Sequence, residues 1–548
     1  MVCRVAPLLS RLVQRYGKWR LAFALFLLAY AFLLLLYLDY AAIQWDETSH
    51  LVGGLMISRG QIQEYTTKYL FYPPLFDVTT ALYYLVLGAN VFSVRLVAYT
   101  FGILTLWVVF EYAYRVYGPR NALLSTILLA SMPGFIVASR LALIETMLMF
   151  FFSSSLFLFF LWTRTKSNKL LLLSVVTVVL GIIAKYQAFV SGIVMLVSLL
   201  VLWRKRIPKK VVNVLLIATI VVAVALPVFL FVYQQSVSDF LGDWVYAIQV
   251  GNEERTSYSG RFPFPIFYLI EMTHPYAHVH PISAPLYILG LVGLGYWLWR
   301  RRDEDKFSLI WFLVVYGVFT LIPNKDWRYI STVFPILAIS ASDLILFMWD
   351  KVKDGLKEPK IRLHRTSIPK FAAAVFVLLI GTSFVYSWGD AHSWVAYEHA
   401  AVPVEETTLY VIENSTVDES TVILFNGNYF SDDMVEFYLI LYNSSDRVRW
   451  NYPEQPADAY SPPLNETWLI ERCEDTNVKF LLLYEHGNET YFNSTWKAYY
   501  VLDRLVLSGR FKFEWVFGTF PRRVIIIRFI PDYRGAEEQW ADVIEKLP

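Results

Sequence analysis

The chain has 548 residues, of which 56% are hydrophobic, 17% aromatic and 17% charged. Its apolar residues run in long uninterrupted stretches, which excludes an ordinary water-soluble core. The net charge of +2 says little by itself; its distribution is the signal, and no nucleic-acid partner is expected.

The first stretch, from Arg20 to Ile43, contains LAFALFLLAYAFLLLLYL, which meets the roughly 20 apolar residues needed to cross about 30 Å of hydrocarbon. A basic prelude (Arg4, Arg11, Arg15, Lys18, Arg20) precedes it. The apolar part is too long for a secretory signal, and no small-residue cleavage site follows, so it reads as the first span. A long loop over 44–92 comes next. It opens with Trp45-Asp46-Glu47-Thr48-Ser49-His50 and runs through HLVGGLMISRG to Tyr72-Pro73-Pro74-Leu75. Its amphipathic part is expected to lie along the interface as short helices, apolar side toward the lipid. Further spans are expected at 93–114, 121–138, 141–162, 170–184, 187–203, 211–233, 284–299, 307–322, 329–349 and 370–388, so the class is a polytopic α-helical membrane protein with about eleven transmembrane helices.

Lys and Arg set the orientation. With a cytoplasmic N-terminus, the inner loops 115–120, 163–169, 204–210, 300–306 and 350–370 carry two, three, five, four and seven of them, whereas the outer loops are nearly bare. The expected organisation is a transmembrane domain over 1–388 and an extracytoplasmic α/β domain over 389–548, in a cell membrane or an ER-type membrane. All five Asn-X-Ser/Thr sequons, at Asn414, Asn443, Asn465, Asn488 and Asn493, fall in the second region, as they must if they are to be modified. Cys3 and Cys473 then lie on opposite sides and cannot pair. Short β-rich runs at 421–427, 478–484, 511–517 and 523–530, with a helix-capable stretch from Thr495 to Leu507, predict a small sheet with helices.

The chemistry-bearing residues gather in the outer loops. Asp46 and Glu47 follow the first span, where they serve either a site or the N-terminus of the next helix. Glu145 stands about one turn into the fourth span, a depth at which carboxylates face a cavity or a partner; an ion pair with Arg140 is the structural alternative. Glu111 and Asp343 lie toward the inner ends of their helices and are read as structural. Outer cations are scarce, so Arg140, Lys185, His274, Lys325 and Arg328, the last followed by Tyr329, are candidates for an anion such as a phosphate headgroup; the alternative for each is interfacial snorkelling.

The acidic pair after the first span, the YPPL segment, the run from FSVRLVAY to RLALIETMLMFF, the AKYQ step and the KDWRYISTVFPILA segment resemble the GT-C superfamily of glycosyltransferases. Within it they are most similar to the protein O-mannosyltransferase and aminoarabinose-transferase branch, over roughly residues 20–350. The resemblance implies a GT-C fold and transfer of a sugar, mannose or another hexose, from a dolichyl or other polyprenyl phosphate to a protein, glycan or lipid acceptor. It implies that Asp46 is the base, Glu47 its acidic neighbour, Glu145 the second acidic position, Lys185 a lysine facing the carrier phosphate and Arg328-Tyr329 the late Arg-Tyr pair. Thr146-Met147 departs from the commonest form of the second acidic motif. The C-terminal region holds no WWD-type signature, which disfavours en bloc oligosaccharide transfer.

Such a reaction suits these residues. A polyprenyl phosphate leaves as a stabilised anion that fixed cations can hold, and the acceptor hydroxyl needs a base on the opposite face of the anomeric carbon, an inverting displacement. No compact metal-ligand spacing is present; a divalent metal bridging the carboxylates and His50 stays open as an alternative. Two other classes also stay open, a secondary transporter and a non-catalytic glycan-binding membrane protein.

Overall fold

The computed structural model describes residues 17–70, 72–203, 264–273, 280–355, 378, 381–391, 402–424, 429–451, 465–486, 498–519 and 522–532. Cys3, His274, Asn488, Asn493, the expected span at 211–233 and most of that at 370–388 lie outside the described residues.

Among the described residues five helices are long and apolar enough to cross a membrane: Lys18–Leu35, Val91–Val116, Glu145–Thr165, Tyr186–Trp203 and Trp327–Lys351. Shorter or more charged helices, Asn168–Ala184, Ala284–Arg300 and Asp303–Leu321, cover three more of the expected stretches. The span expected at 121–138 is not one straight helix. It is two, Pro119–Ala130 and Pro133–Arg140, bent by 69°. Pro133 has no N–H with which to continue the first helix. Gly134 lets the second approach closely, because a Cβ there would fall 2.9 Å from the Trp327 ring and 3.0 Å from the Pro281 carbonyl oxygen.

The chain forms two compact units. The first comprises the described residues of Met1–Leu38, Gln63–Val78 and Arg95–Trp394. Its core is aromatic, with Phe110, Phe135, Phe152, Phe159, Trp297 and Trp311 fully buried and Phe23 stacked on Phe110. Small residues bring its helices together. Gly290 and Gly293 of helix Ala284–Arg300 lie against Leu337 and Ser340 of helix Phe334–Gly355, and the Ser340 hydroxyl donates to the Gly290 carbonyl over 2.9 Å. Close backbone approach of this kind replaces the hydrophobic driving force that lipid withholds.

The second unit comprises the described residues of Asp39–Ile62, Thr79–Val94 and Val395–Pro548. It holds a five-stranded mixed sheet in the order β2-β1-β3-β5-β4, with β1 Ser420–Leu424, β2 Arg449–Asn451, β3 Val478–His486, β4 Phe511–Thr519 and β5 Arg522–Phe529. β1 runs parallel to β2 and β3, while β5 runs antiparallel to β3 and β4. Alternate residues serve opposite faces. Val422, Leu481, Leu483, Ile525 and Ile527 pack with Leu469 and Cys473 of helix Glu466–Asp475 and Leu502 and Leu505 of helix Ala498–Leu507, whereas Phe480 meets Tyr410 of helix Val404–Asn414 on the other face. The four expected β runs are all strands. The three-residue β2 is too short and polar to have shown as an apolar run.

The HLVGGLMISRG segment departs from its expected one-sided burial. It forms most of helix Trp45–Ser58, in which Glu47, Thr48 and every residue from His50 to Met56 are buried. The close approach is at Gly54: a Cβ there would lie 2.4 Å from Thr80 Cγ2, and the Tyr84 hydroxyl reaches the Leu51 carbonyl at 3.5 Å. Helix Leu75–Leu87 therefore lies against this helix with the Thr80 side chain in the space that a Cβ on Gly54 would take.

Gly293→Ala places a methyl group 2.4 Å from the Ser340 carbonyl oxygen, so it is expected to destabilise the first unit by about 1–3 kcal/mol, read as a lower thermal midpoint in detergent; an unchanged midpoint would contradict the packing. Cys473 is fully buried, and burial, followed by the charge of Glu474, pushes its thiol up to about 12. In a Cys3→Ser background, alkylation of Cys473 at pH 8 is expected to be at least roughly a thousandfold slower than that of a free thiol, with the ordinary rate restored by denaturant.

Candidate functional site

In the first unit, helix Glu145–Thr165 and helix Asn168–Ala184 form a hairpin through Lys166, which adopts a left-handed conformation, and Ser167. The positive end of the first helix therefore lies beside the negative end of the second. The sequence puts the matching charge on each, a carboxylate at Glu145 in the first turn and an ammonium at Lys185 on the C-cap, both favoured by the helix dipoles. Lys185 Nζ donates to Glu145 Oε1 over 2.8 Å, and the two side chains are 8% and 2% exposed. The extended backbone of Lys185 ends its helix, and a 3-10 turn over Tyr186–Ala188 starts the next. Gly181 permits the convergence, since a Cβ there would lie 2.9 Å from Ala188 and 3.1 Å from Phe151.

Glu145 thus pairs with Lys185. Arg140 does something else: its guanidinium donates to the carbonyls of Leu34, Leu36 and Tyr37 over 2.9–3.1 Å, at the C-terminus of helix Lys18–Leu35. The ion pair between Arg140 and Glu145 considered from sequence is replaced by this helix cap.

Three residues that the sequence did not mark as site candidates, Tyr65, Tyr72 and Asp77, belong to the same unit. The Lys185 ammonium lies over the Tyr72 ring, 5.9 Å from its centroid. The Tyr65 hydroxyl donates to Asp77 Oδ2 over 2.8 Å, and both residues are buried. Burial, then the charge and hydrogen bond of Asp77, push the Tyr65 phenol far above its ordinary value, with a smaller contribution from Tyr186. The hydroxyl therefore stays a donor. Asp77 follows a Pro-Pro pair in the first turn of a helix, where a carboxylate reads as dipole chemistry. Nothing in the sequence signals that Tyr65, twelve residues earlier, covers it.

The KDWRY segment folds around Asp326. This residue caps the 3-10 helix Trp327–Val333, accepting from the Arg328 backbone N–H over 2.9 Å and from Arg328 Nε over 3.0 Å. Tyr329 accepts from the Asn324 amide over 2.9 Å. Lys325 is buried and donates to the carbonyls of Thr320 and Ile322 over 2.7 and 2.6 Å, closing the end of helix Asp303–Leu321; burial pulls its pKa below the ordinary lysine range. The 3-10 turn packs against helix Glu145–Thr165, so the Arg328 segment and the Glu145–Lys185 pair share a helix. His274 lies outside the described residues. Glu111 pairs with Arg20 and Arg115 over 3.3 and 3.0 Å, and Asp343 accepts from Trp297 Nε1 over 2.7 Å and pairs with Arg300, in keeping with the structural roles expected of both.

In the second unit the acidic pair is divided. Glu47 is fully buried, and its Oε2 accepts from the Gln44 backbone N–H over 3.0 Å in a capping box, which is the capping role weighed from sequence. Asp46, one position earlier, is exposed. His50, one turn on, is buried. Among the described residues no group of three or more His, Cys, Asp or Glu side chains could hold a metal ion.

The family model for dolichyl-phosphate-mannose-protein mannosyltransferase matches residues 61–240. An Aquifex aeolicus (strain VF5) protein of uncharacterised function is 27% identical over 279 residues, which is 50% of this chain and 52% of the relative, so the chain spans about half the length of the curated protein it matches. In fold the chain is similar to ArnT from Cupriavidus metallidurans in the apo state, with a TM-score of 0.59 at 14% identity over 94% of this chain and 99% of that one. The same protein bound to undecaprenyl phosphate gives 0.57 at 17% identity over 92% and 98%. The archaeal oligosaccharyltransferase AglB from Archaeoglobus fulgidus, in complex with an inhibitory peptide and a dolichol-phosphate, gives 0.52 at 13% identity over 86% and 70%. In fold the chain is similar to ArnT and AglB, and through residues 61–240 it matches the dolichyl-phosphate-mannose-protein mannosyltransferase family model.

Proposed function

We propose that this protein transfers a single sugar, mannose or another hexose, from a polyprenyl phosphate to an acceptor hydroxyl on the extracytoplasmic side of the membrane, with inversion at the anomeric carbon. The observation that carries this reading is the buried Glu145–Lys185 pair. An ammonium and a carboxylate inside an apolar helical unit are costly and mark a site rather than a scaffold, and Glu145 Oε2 is buried with no hydrogen-bond partner among the described residues. The match to a mannosyltransferase family model and the undecaprenyl phosphate bound by ArnT support a lipid-phosphate donor.

In the proposed reaction the acceptor oxygen attacks the anomeric carbon and loses its proton to Asp46, while the bond from that carbon to the phosphate oxygen breaks and its electron pair leaves with the polyprenyl phosphate. Lys185 and Arg328 hold the charge that develops on the phosphate. Asp46 is preferred to Glu47 as base because it is exposed, whereas Glu47 is buried in its capping box. Glu145 orients the acceptor through the oxygen that Lys185 does not occupy. The Lys and Arg distribution supports a cytoplasmic N-terminus and an extracytoplasmic side for residues 389–548. The acceptor is a protein, a protein-linked glycan or a lipid.

Asp46→Asn is expected to lower transfer from a radiolabelled polyprenyl-phosphate sugar by about 10²–10⁴-fold while the protein stays folded; activity equal to wild type would remove the base assignment. Arg328→Ala is expected to raise the donor KM about tenfold or more, the scale of a lost charged hydrogen bond, with the acceptor KM unchanged. The reverse kinetic pattern would contradict a phosphate role for Arg328.

A further inference from the structure

The segments 39–62 and 79–94 belong to one compact unit with Val395–Pro548. Helix Trp45–Ser58, which carries Asp46, Glu47 and His50, is therefore part of the unit that holds the sheet domain. It packs against helix Asp432–Leu441 of that domain. The join is made by Arg59, the residue that ends the acidic helix. Its guanidinium donates through Nη2 to the Leu441 carbonyl over 2.8 Å, through Nη1 to Asn443 Oδ1 over 2.9 Å, and also through Nη1 to the Ile440 carbonyl.

Ile440 and Leu441 are the last residues before helix Asp432–Leu441 stops, and the left-handed Asn443 turns the chain away. A helix leaves its final carbonyls without intrahelical partners, and a cation is favoured where they gather. A planar guanidinium holding three acceptors at once fixes direction as well as distance, which a flexible ammonium does not. A further restraint on the acidic helix is lateral. Thr80 and Tyr84 contact it at Gly54 and Leu51, which opposes approach or rotation there, while Arg59, bound to the end of helix Asp432–Leu441, is placed to oppose sliding along the axis.

We propose that Arg59 is a positioning residue for sugar transfer, and that the sheet domain serves the reaction by holding the acidic helix through it. This rests on the reading of Asp46 as base. Asp46 lies thirteen residues before Arg59 on a nearly continuous helix, about 20 Å away along the axis at 1.5 Å per residue. Release of the Arg59 end lets the helix slide or tilt and moves the Asp46 carboxylate. In-line proton abstraction is sensitive to such movement, since a displacement of about 1 Å costs on the order of a hundredfold in rate. Donor affinity, set by other residues, is not touched.

The test uses the full chain with Arg59→Ala and Arg59→Lys. Deuterium uptake is followed in peptides covering 45–58 and, as an internal control, 145–165, and kcat and donor KM are measured for transfer from a polyprenyl-phosphate sugar. For Arg59→Ala the expected result is faster uptake in 45–58, unchanged uptake in 145–165, kcat lower by about tenfold or more and donor KM within about twofold of wild type, with Arg59→Lys recovering part of both. Unchanged uptake in 45–58, equal loosening of 145–165, or faster uptake with kcat at the wild-type value would each overturn the proposal. The uptake measurement separates the two levels of the argument. A wild-type protein that transfers no sugar would defeat the functional reading, and with it the role of Arg59 in transfer, while the uptake in 45–58 would still report whether Arg59 holds the helix.

Discussion

An ammonium and a carboxylate buried among apolar helices constrain everything around them. Removing either partner of such a pair typically costs about 3–5 kcal/mol, because the remaining charge is stranded in a low-dielectric surrounding. The arrangement of Glu145 and Lys185 answers that constraint with geometry. A hairpin turned at Lys166 and Ser167 brings a helix N-terminus and a helix C-terminus to one level, each end carries the charge its dipole favours, and Gly181 lets the backbones close around them. Tyr72 adds a ring face beneath the ammonium, an interaction that strengthens as water is excluded. The pair is thereby held in place while one carboxylate oxygen remains without a partner among the described residues.

The same logic of helix ends recurs through the molecule and changes how its cations are read. Arg140 closes helix Lys18–Leu35, Lys325 closes helix Asp303–Leu321 and Arg59 closes helix Asp432–Leu441, each by donating to terminal carbonyls. A chain with many helices has many such ends, and those not solvated by water must be satisfied by side chains. Scarcity of outward cations raises the chance that each has a purpose. For these three that purpose is a backbone carbonyl. The side chains of Lys185 and Arg328 differ from these three in donating to carboxylates, those of Glu145 and Asp326.

The acidic pair shows a second division of labour. Adjacent residues on a helix differ by 100° in direction, so Asp46 and Glu47 cannot share an environment. Glu47 turns inward and completes the capping box, which fixes where the helix begins, and Asp46 is left exposed. One carboxylate sets the frame in which the other is presented. At the far end of the same helix Arg59 performs the corresponding anchoring, so both ends are held by polar contacts while Gly54 lets Thr80 close on the middle.

By itself the sequence determined the membrane class, the position of most long helices, four of the five strands and the identity of the residues worth asking about, because hydrophobic length, period-two alternation and misplaced charge are local quantities that a single chain displays. It did not determine partners. That Glu145 would meet Lys185 rather than Arg140, that Asp77 would lie under Tyr65, that the stretch after Pro119 would bend at Pro133, and that the helix bearing Asp46 would join the unit of the sheet domain were decided only by tertiary structure. Each depends on which helix ends and which glycine faces come together, and that is a property of packing between segments far apart in the chain, which no local pattern of residues records.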